Sequence, residues 1–141
     1  MKKIFAICLV CSSIISVNAQ KLNEADVPVV IKNAFVKMYP GIKTAQWNME
    51  SNLYEANFVD GSYKGSVLFD EKGKWTERET AIPITALPLK VRTYMQANYK
   101  SIKLIGAAKI TKASGELQYE VELKGKDIFF TKDGEFIKEG R

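Results

Sequence analysis

Two spacings of apolar residues alternate along the chain, one typical of helices and one typical of strands. The helical spacing follows Pro28, and a weaker version of it follows Pro88. A proline suits the first turn of a helix, where its missing N–H has no partner to lose. Pro40-Gly41 then ends the first helix. The predicted apolar faces of the two helices are Val27, Val30, Ile31, Ala34, Phe35 and Met38, and Leu87, Val91, Tyr94, Met95 and Asn98.

After each helix the spacing changes to a period of two, as in residues 54–58 and 117–123. This alternation predicts antiparallel strands with one buried face and one wet face. Residues 70–73 and 131–134 each end in a glycine that can take positive φ, which predicts two tight hairpins. The predicted cross-strand pairs on the helix-covered face are Phe69 with Trp75 and Phe130 with Phe136.

The same order of segments occurs twice, which predicts an internal repeat. The matching segments are 27–39 with 87–99, 54–58 with 119–123, and 67–75 with 128–136. One helix with about four strands would leave its sheet face poorly covered, and the linker 80–85 is short and apolar. We therefore predict one α+β domain from residue 20 to 141. Two tandem helix-plus-four-strand repeats, about 24–80 and 85–139, form one antiparallel sheet packed against two helices.

The first 19 residues have the pattern of a secretory signal. Lys2 and Lys3 precede a short apolar run, and Val17-Asn18-Ala19 places small residues before a predicted cleavage point. The apolar run is too short to span a bilayer comfortably, so no integral membrane segment is expected after cleavage. The alternatives are an uncleaved anchor and lipid attachment at Cys11, although Val10 stands where a small residue would be expected. The predicted location is periplasmic or secreted.

Composition narrows the chemistry of the mature chain. Histidine is absent and both cysteines, Cys8 and Cys11, lie in the predicted signal. Common Ser-His-Asp and Cys-His catalysis and tetrahedral zinc sites therefore lack their usual groups, and neither a cofactor nor a metal is predicted. Without Lys2 and Lys3 the formal net charge decreases from +5 to +3, and the charges are interspersed along the chain. Such a distribution is typical of a solvated surface and does not favour nucleic-acid binding.

The candidate partner-binding residues are large apolar or aromatic side chains. Leu68 and Phe129 occupy equivalent positions in the two predicted repeats, on a sheet face that is otherwise polar. Two such side chains could anchor a protein partner, although isolated apolar residues on a surface are also normal. Trp47 and Tyr63 are further candidates, since Trp and Tyr are favoured interface residues, and packing in the core or rim is the alternative for both.

These segments together resemble the PepSY-like family of β-lactamase-inhibitor-like proteins. The resemblance covers nearly the whole mature chain and rests on the apolar-Pro helix starts, Tyr39-Pro40, Tyr99, Trp47, residues 54–58 and the hairpin 69–75. It implies tandem helix-plus-four-strand repeats, export, and a binding or inhibitory role instead of catalysis. Related domains restrain secreted peptidases or grip a β-lactamase, but no target residue of those proteins can be assigned to a position here.

We therefore predict an exported, non-enzymatic module that binds another exported protein, with its oligomeric state left open. One alternative is a carrier or sensor that holds a small ligand between helix and sheet near Trp47 and Trp75. Another is a structural envelope component that assembles through exposed sheet edges. An enzyme that uses carboxylates alone is the remaining alternative.

Overall fold

The computed structural model describes residues 20–140, which form two α-helices and one sheet of nine strands. The helices are α1 (Val29–Met38) and α2 (Leu89–Asn98), and a short 3-10 turn precedes each of them, at Glu24–Asp26 and Ile84–Ala86. The strands are β1 (Gln20–Leu22), β2 (Gln46–Glu50), β3 (Leu53–Asp60), β4 (Tyr63–Phe69), β5 (Trp75–Ala81), β6 (Leu104–Lys112), β7 (Leu117–Leu123), β8 (Lys126–Thr131) and β9 (Phe136–Gly140).

Every strand pairs antiparallel with the next one along the chain, so the sheet is an open meander from β1 to β9. The predicted α+β class, with one antiparallel sheet and two helices, is confirmed. The sequence predicted about eight strands, and β1 is an additional strand that it did not predict. Its three residues pair with β2 and place Leu22 opposite Trp47. The predicted repeat boundaries at about 24–80 and 85–139 stay a prediction.

Both helices begin immediately after their prolines, as the spacing predicted to within one residue. Pro28 and Pro88 are extended N-cap residues, and their carbonyls accept the N–H groups of Lys32 and Arg92 at 3.1 Å. Each helix ends when a tyrosine N–H, from Tyr39 or Tyr99, bonds to the carbonyl four residues earlier at 2.8 Å. Within the described residues no helix has the length and apolar character needed to cross a bilayer.

The helices pack on the same face of the sheet over two separate hydrophobic clusters. The cluster under α1 contains Val27, Ile31, Phe35, Trp47, Ala56, Phe58, Val67 and Phe69. The cluster under α2 contains Leu87, Val91, Met95, Tyr99, Ala107, Val121, Leu123, Ile128 and Phe130. Val30 is an exception to the predicted stripe, because it is 49% exposed. The helix side of the sheet is therefore filled by protein side chains in both halves.

The two predicted hairpins are confirmed in their register and their turns. Phe69 pairs with Trp75, and Phe130 pairs with Phe136, each beside a local shift of the strand register. Gly73 and Gly134 adopt φ values of 78° and 81°, which a side chain disfavours. In the first turn the Asp70 carboxylate accepts the N–H groups of Lys72 and Lys74, both at 2.9 Å. These turns fix which side chains face away from the helices.

Candidate functional site

The side of the sheet opposite the helices, which we term the open face, carries the candidate residues Leu68 and Phe129. The register places Leu68 between Glu55 and Glu77, and Phe129 between Glu120 and Lys138. Both side chains are half-buried, and neither belongs to a core cluster. Two apolar side chains thus lie among charged neighbours, one in each half of the sheet.

The Phe129 ring is held by its neighbours on β9. The Lys138 ammonium lies 5.0 Å from the ring centroid, within the range of a cation–π contact. Gly140 lies directly against the ring, since a Cβ on it would be 2.9 Å from a ring carbon. The orientation of Phe129 therefore depends on the close approach that a glycine backbone allows.

A third apolar residue of the open face, Ile110, was missed by the sequence analysis. It stands opposite Glu79 and Gln118, belongs to neither core cluster, and is only 3% exposed. Ala108, its neighbour along β6, is 6% exposed and stands opposite Glu120. The centre of the open face is thus covered by the side chains of adjacent strands, although neither α1 nor α2 lies over it.

The carboxyl groups of Glu79 and Glu120 contact each other across β6. Glu79 comes from β5 and Glu120 from β7, so the pair joins the two halves of the sheet. Burial, supplemented by the charges of Glu77 and Glu55, raises the pKa of Glu79 to about 7. Burial and the charge of Glu79 raise the pKa of Glu120 to about 8. Near neutral pH the two groups therefore share a proton.

Further carboxylates surround this pair. Burial also raises the pKa of Asp127, with a second contribution from the charge of Glu122. The side-chain amide of Asn48 donates a hydrogen bond of 3.0 Å to the carboxylate of Glu55. The carboxylates of the open face near its centre are Glu55, Glu77, Glu79, Glu120, Glu122 and Asp127. This part of the face is acidic, although the chain as a whole carries a formal charge of +5.

A depression of about 520 Å³ lies over the carboxyl pair and runs across strands of both halves. Its lining includes Asn57, Lys64 and Ser66 from the first half and Gly106 and Ala108 from the second. The small residues Gly106 and Ala108 leave space between the longer side chains of β5 and β7. The depression can therefore accept a protruding side chain of a partner, above all one that donates hydrogen bonds.

Glu79 and Glu120 contact each other directly, whereas the two carboxyls of glycoside hydrolases lie about 5–9 Å apart around a substrate. Within residues 20–140, no group of three or more potential ligands is arranged to hold a metal ion. The acids of the open face supply negative charge and hydrogen-bond acceptors on this side of the sheet.

The other two candidate residues lie away from the open face. Trp47 is a correction to the sequence analysis, because it is 4% exposed and packs edge-on against Phe35 at 5.6 Å in the core under α1. It is therefore not available as a surface anchor, and the packing alternative describes its position. Tyr63 is 53% exposed at the start of β4, opposite Asp60, on the helix side of the sheet rim. The structure thus brings Leu68 and Phe129 onto one face and separates Trp47 and Tyr63 from them.

The positions of Glu79, Ile110 and Glu120 on the open face could be predicted only in part from the sequence. Strand alternation places Glu79, Ile110 and Glu120 on the same face as Leu68 once the pairing of β5 with β6 is known. That pairing crosses the linker and α2, so a local period could not supply it. The burial of Ile110 depends on this long-range register.

Comparisons with known proteins give both a family and a fold. The family model described as "Putative beta-lactamase-inhibitor-like, PepSY-like" matches residues 52–138, which is more than half of the chain. A search of curated proteins found no match.

Solved structures from Bacteroides species share the fold. A "putative periplasmic" protein from Bacteroides eggerthii DSM 20697 is 19% identical with a TM-score of 0.74, over 81% of this chain and 88% of that one. A DUF2874 family protein from Bacteroides uniformis ATCC 8492 is 22% identical with a TM-score of 0.72, over the same shares. A "BLIP-like" protein from Bacteroides fragilis NCTC 9343 is 24% identical with a TM-score of 0.58, over 79% of this chain and 83% of that one.

Proposed function

Since the chain belongs to the PepSY-like, β-lactamase-inhibitor-like family, we propose that it is an exported, non-enzymatic module that binds another exported protein. The binding surface is the open face, and the bound protein is an envelope or secreted enzyme that the module inhibits or regulates. The description of one structural relative as BLIP-like supports an inhibitory role, and the description of another as periplasmic supports the location. The predicted signal at residues 1–19 supports export and lies outside the described residues.

The observation that carries this proposal is the composition of the open face. Leu68 and Phe129 remain half-buried on the face opposite α1 and α2, on either side of the buried Ile110. Apolar side chains at the centre of an interface, surrounded by polar groups that exclude water, are the usual source of binding energy. Because each is already half-buried, its complete burial by a partner would contribute about 1 kcal/mol.

The charge of the open face indicates the chemistry of the partner surface. The carboxylates around Glu79 and Glu120 favour a partner that presents lysine or arginine side chains. A cation that enters the depression would displace the proton that the pair shares, because a positive neighbour lowers the pKa of a carboxyl. We therefore expect the partner to have a basic protrusion flanked by apolar surface.

A pair of apolar truncations tests this surface. Immobilised protein with Leu68→Thr and Phe129→Thr keeps residues that favour strands but lacks both anchors. We expect the proteins that the unmodified chain retains from an envelope extract to decrease at least about tenfold, as measured by quantitative mass spectrometry. Addition of the soluble unmodified chain should release the retained proteins.

The control places two threonines on the helix side. Val29 and Leu89 are 65% and 69% exposed and each begins its helix, so Val29→Thr with Leu89→Thr makes exposed apolar positions polar far from the open face. Retention should be unchanged by this control, and circular dichroism should show that both variants are folded. Equal retention by the open-face variant and the unmodified chain would overturn the proposal.

A further inference from the structure

A groove beside α2 has no role in the binding surface proposed above. It has a volume of about 740 Å³ and lies between α2, the 3-10 turn before it and the segment that leads into β6. Its apolar lining includes Ile84, Met95, Ile102 and Leu104, and two cations, Arg92 and Lys100, also line it. This groove is on the helix side of the sheet, so a ligand there would not compete with a partner on the open face.

The apolar lining of the groove is incompletely covered by the protein. Ile84 is 37% exposed and Ile102 is 40% exposed, whereas Met95 below them is 2% exposed. The exposed isoleucines belong to two segments, one before and one after α2, and both line the groove. The groove thus offers concave apolar surface to a ligand, and burial of that surface is favourable.

The two cations of the groove have no carboxylate partner among the described residues. The described ion pairs of this half use Lys90, Lys112, Lys126 and Lys132, and include neither Arg92 nor Lys100. The Arg92 Nε atom is buried without a hydrogen-bond acceptor, so the stem of this side chain lies packed against the protein. Its remaining guanidinium N–H groups are suited to an anion held at the mouth of the groove.

Charge segregation along the chain strengthens this preference. The sequence contains no Asp or Glu between Glu79 and Glu116, whereas this stretch holds six Lys and Arg residues. Lys90 and Lys112 are paired with Glu135 and Glu116, which come from outside the stretch. The lining of the groove itself contains Arg92 and Lys100 and no Asp or Glu, whereas the centre of the open face is rich in carboxylates.

We propose that this groove binds the anion of a single-chain fatty acid. The carboxylate lies near Arg92 and Lys100, and the hydrocarbon chain lies along Ile84, Ile102 and Leu104. A concave apolar surface whose lining also contains two cations suits one amphiphilic molecule, whereas attachment to a bilayer uses apolar side chains that protrude. This inference does not depend on the proposed function, because the groove beside α2 and the depression on the open face share no lining residue.

Methyl NMR of the purified protein labelled at isoleucine can locate and measure the binding. Decanoate, titrated below its micelle concentration, should shift the δ1-methyl signals of Ile84 and Ile102 saturably and leave those of Ile110 and Ile31 in place, since Ile31 lies in the separate cluster under α1. Octanoate should bind about fourfold more weakly, because each methylene that is about half-buried contributes roughly a factor of two. Decanol and decyltrimethylammonium should bind at least about fivefold more weakly, since they lack the negative charge.

Charge variants separate the groove from general attraction to a basic protein. Arg92→Gln with Lys100→Gln should weaken decanoate binding about fivefold. Lys109→Gln with Lys124→Gln removes the same charge from exposed residues that do not line the groove, and it should leave the affinity unchanged. Equal binding of decanol and decanoate, equal affinity of the groove variant and the unmodified chain, or attachment to phosphatidylglycerol vesicles without binding of monomeric decanoate would each overturn the proposal.

Discussion

The first half of the molecule, from β1 to β5, and the second half, from α2 to β9, fill equivalent positions under their helices with side chains of different size. In the first half the bulky Trp47 stands opposite Ala56, whereas in the second half Ala107 stands opposite Val121. The ring of Phe35 on α1 packs against those of Trp47 and Phe58, with ring centroids 5.6 and 5.5 Å apart. On α2 the aromatic residue is Tyr94, whose ring centroid lies 5.4 Å from the ring centroids of both Phe130 and Phe136.

This difference shows which features of the fold are fixed and which can vary. In the final hairpin of each half the register shift, the turn glycine and the aromatic residue before the turn are the same, at Phe69 and Phe130. The volume beneath each helix is redistributed between neighbouring strands, as cores tolerate when the total volume and the pattern are kept. Both helices expose an apolar first residue, Val29 or Leu89, but their surfaces diverge further along, since α1 exposes Val36 whereas α2 carries Arg92 beside its groove.

The largest expected effect comes from truncation of a core ring in one half. Phe130 is fully buried under α2, so Phe130→Ala should lower the free energy of unfolding by about 3–5 kcal/mol. Both tryptophans, Trp47 and Trp75, lie in the first half, so their fluorescence reports on the half that is not mutated. If β5–β6 pairing couples the halves, urea unfolding of this variant followed by fluorescence and by circular dichroism should give the same midpoint.

The mirror variant, Phe69→Ala, provides the control in the other half. It should cause a loss of similar size, again with coincident transitions, because Phe69 is as completely buried as Phe130. A fluorescence midpoint that stays at the unmodified value in Phe130→Ala while the circular dichroism midpoint falls would show that the halves unfold separately.

Two equivalent turn glycines give the next effect and sharpen the comparison. A Cβ at Gly73 would lie 3.0 Å from the backbone oxygen of Val30, whereas one at Gly134 would lie 3.0 Å from side-chain carbon of Lys90. Alanine at either position also forces a positive φ, at a cost of about 1–2 kcal/mol. We expect Gly73→Ala to destabilise by roughly 2–3 kcal/mol and Gly134→Ala by about 1–2 kcal/mol in urea unfolding, because backbone moves less readily than side chain.

Gly125→Ala isolates the backbone contribution for this comparison. Gly125 has φ 80°, and a Cβ there would meet no atom within 4 Å. It should therefore show the conformational cost alone, about 1–2 kcal/mol. If Gly73→Ala cost no more than Gly125→Ala, then the approach of α1 to its hairpin would be looser than that distance implies.

Local sequence patterns predicted most of the fold because its determinants are local. The positions of the prolines predicted where the helices begin, and the turn glycines predicted the cross-strand pairs Phe69–Trp75 and Phe130–Phe136. Strand β1 escaped notice because three residues, Gln20 to Leu22, are too few to show a period of two. Their place in the sheet is decided by pairing with β2 and by contact of Leu22 with the core under α1.

The candidate sites were less predictable because they depend on contacts between distant strands. Alternation placed Leu68 and Phe129 on the polar face, but it could not show that Glu79 and Glu120 meet across β6. Trp47 shows the opposite problem, because an aromatic residue near a strand start suits both a surface and a core. Only the packing of α1 over β2 decides between them, and it places Trp47 in the core.

The smallest expected effect concerns the carboxyl pair that joins the halves. Burial raises the pKa of Glu79 and Glu120 above the usual 4.5, so the folded chain retains protons that the unfolded chain releases. The contribution of this pair to stability is therefore complete below about pH 4.5 and decreases as the pH rises through about 7 to 8. With allowance for solvent screening, we expect the free energy of unfolding to be about 1 kcal/mol lower at pH 8.5 than at pH 5.

Glutamine at both positions should remove this pH dependence. Glu79→Gln with Glu120→Gln keeps hydrogen-bonding groups over Ile110 but cannot ionise, so its stability in urea should change little between pH 5 and 8.5 and should exceed that of the unmodified chain at pH 8.5. Glu71→Gln, on an exposed turn, makes a single change of the same kind and should retain the original slope. An identical slope in the double variant would mean that the two carboxyls do not share a proton, and the halves would then be joined at this face by backbone pairing alone.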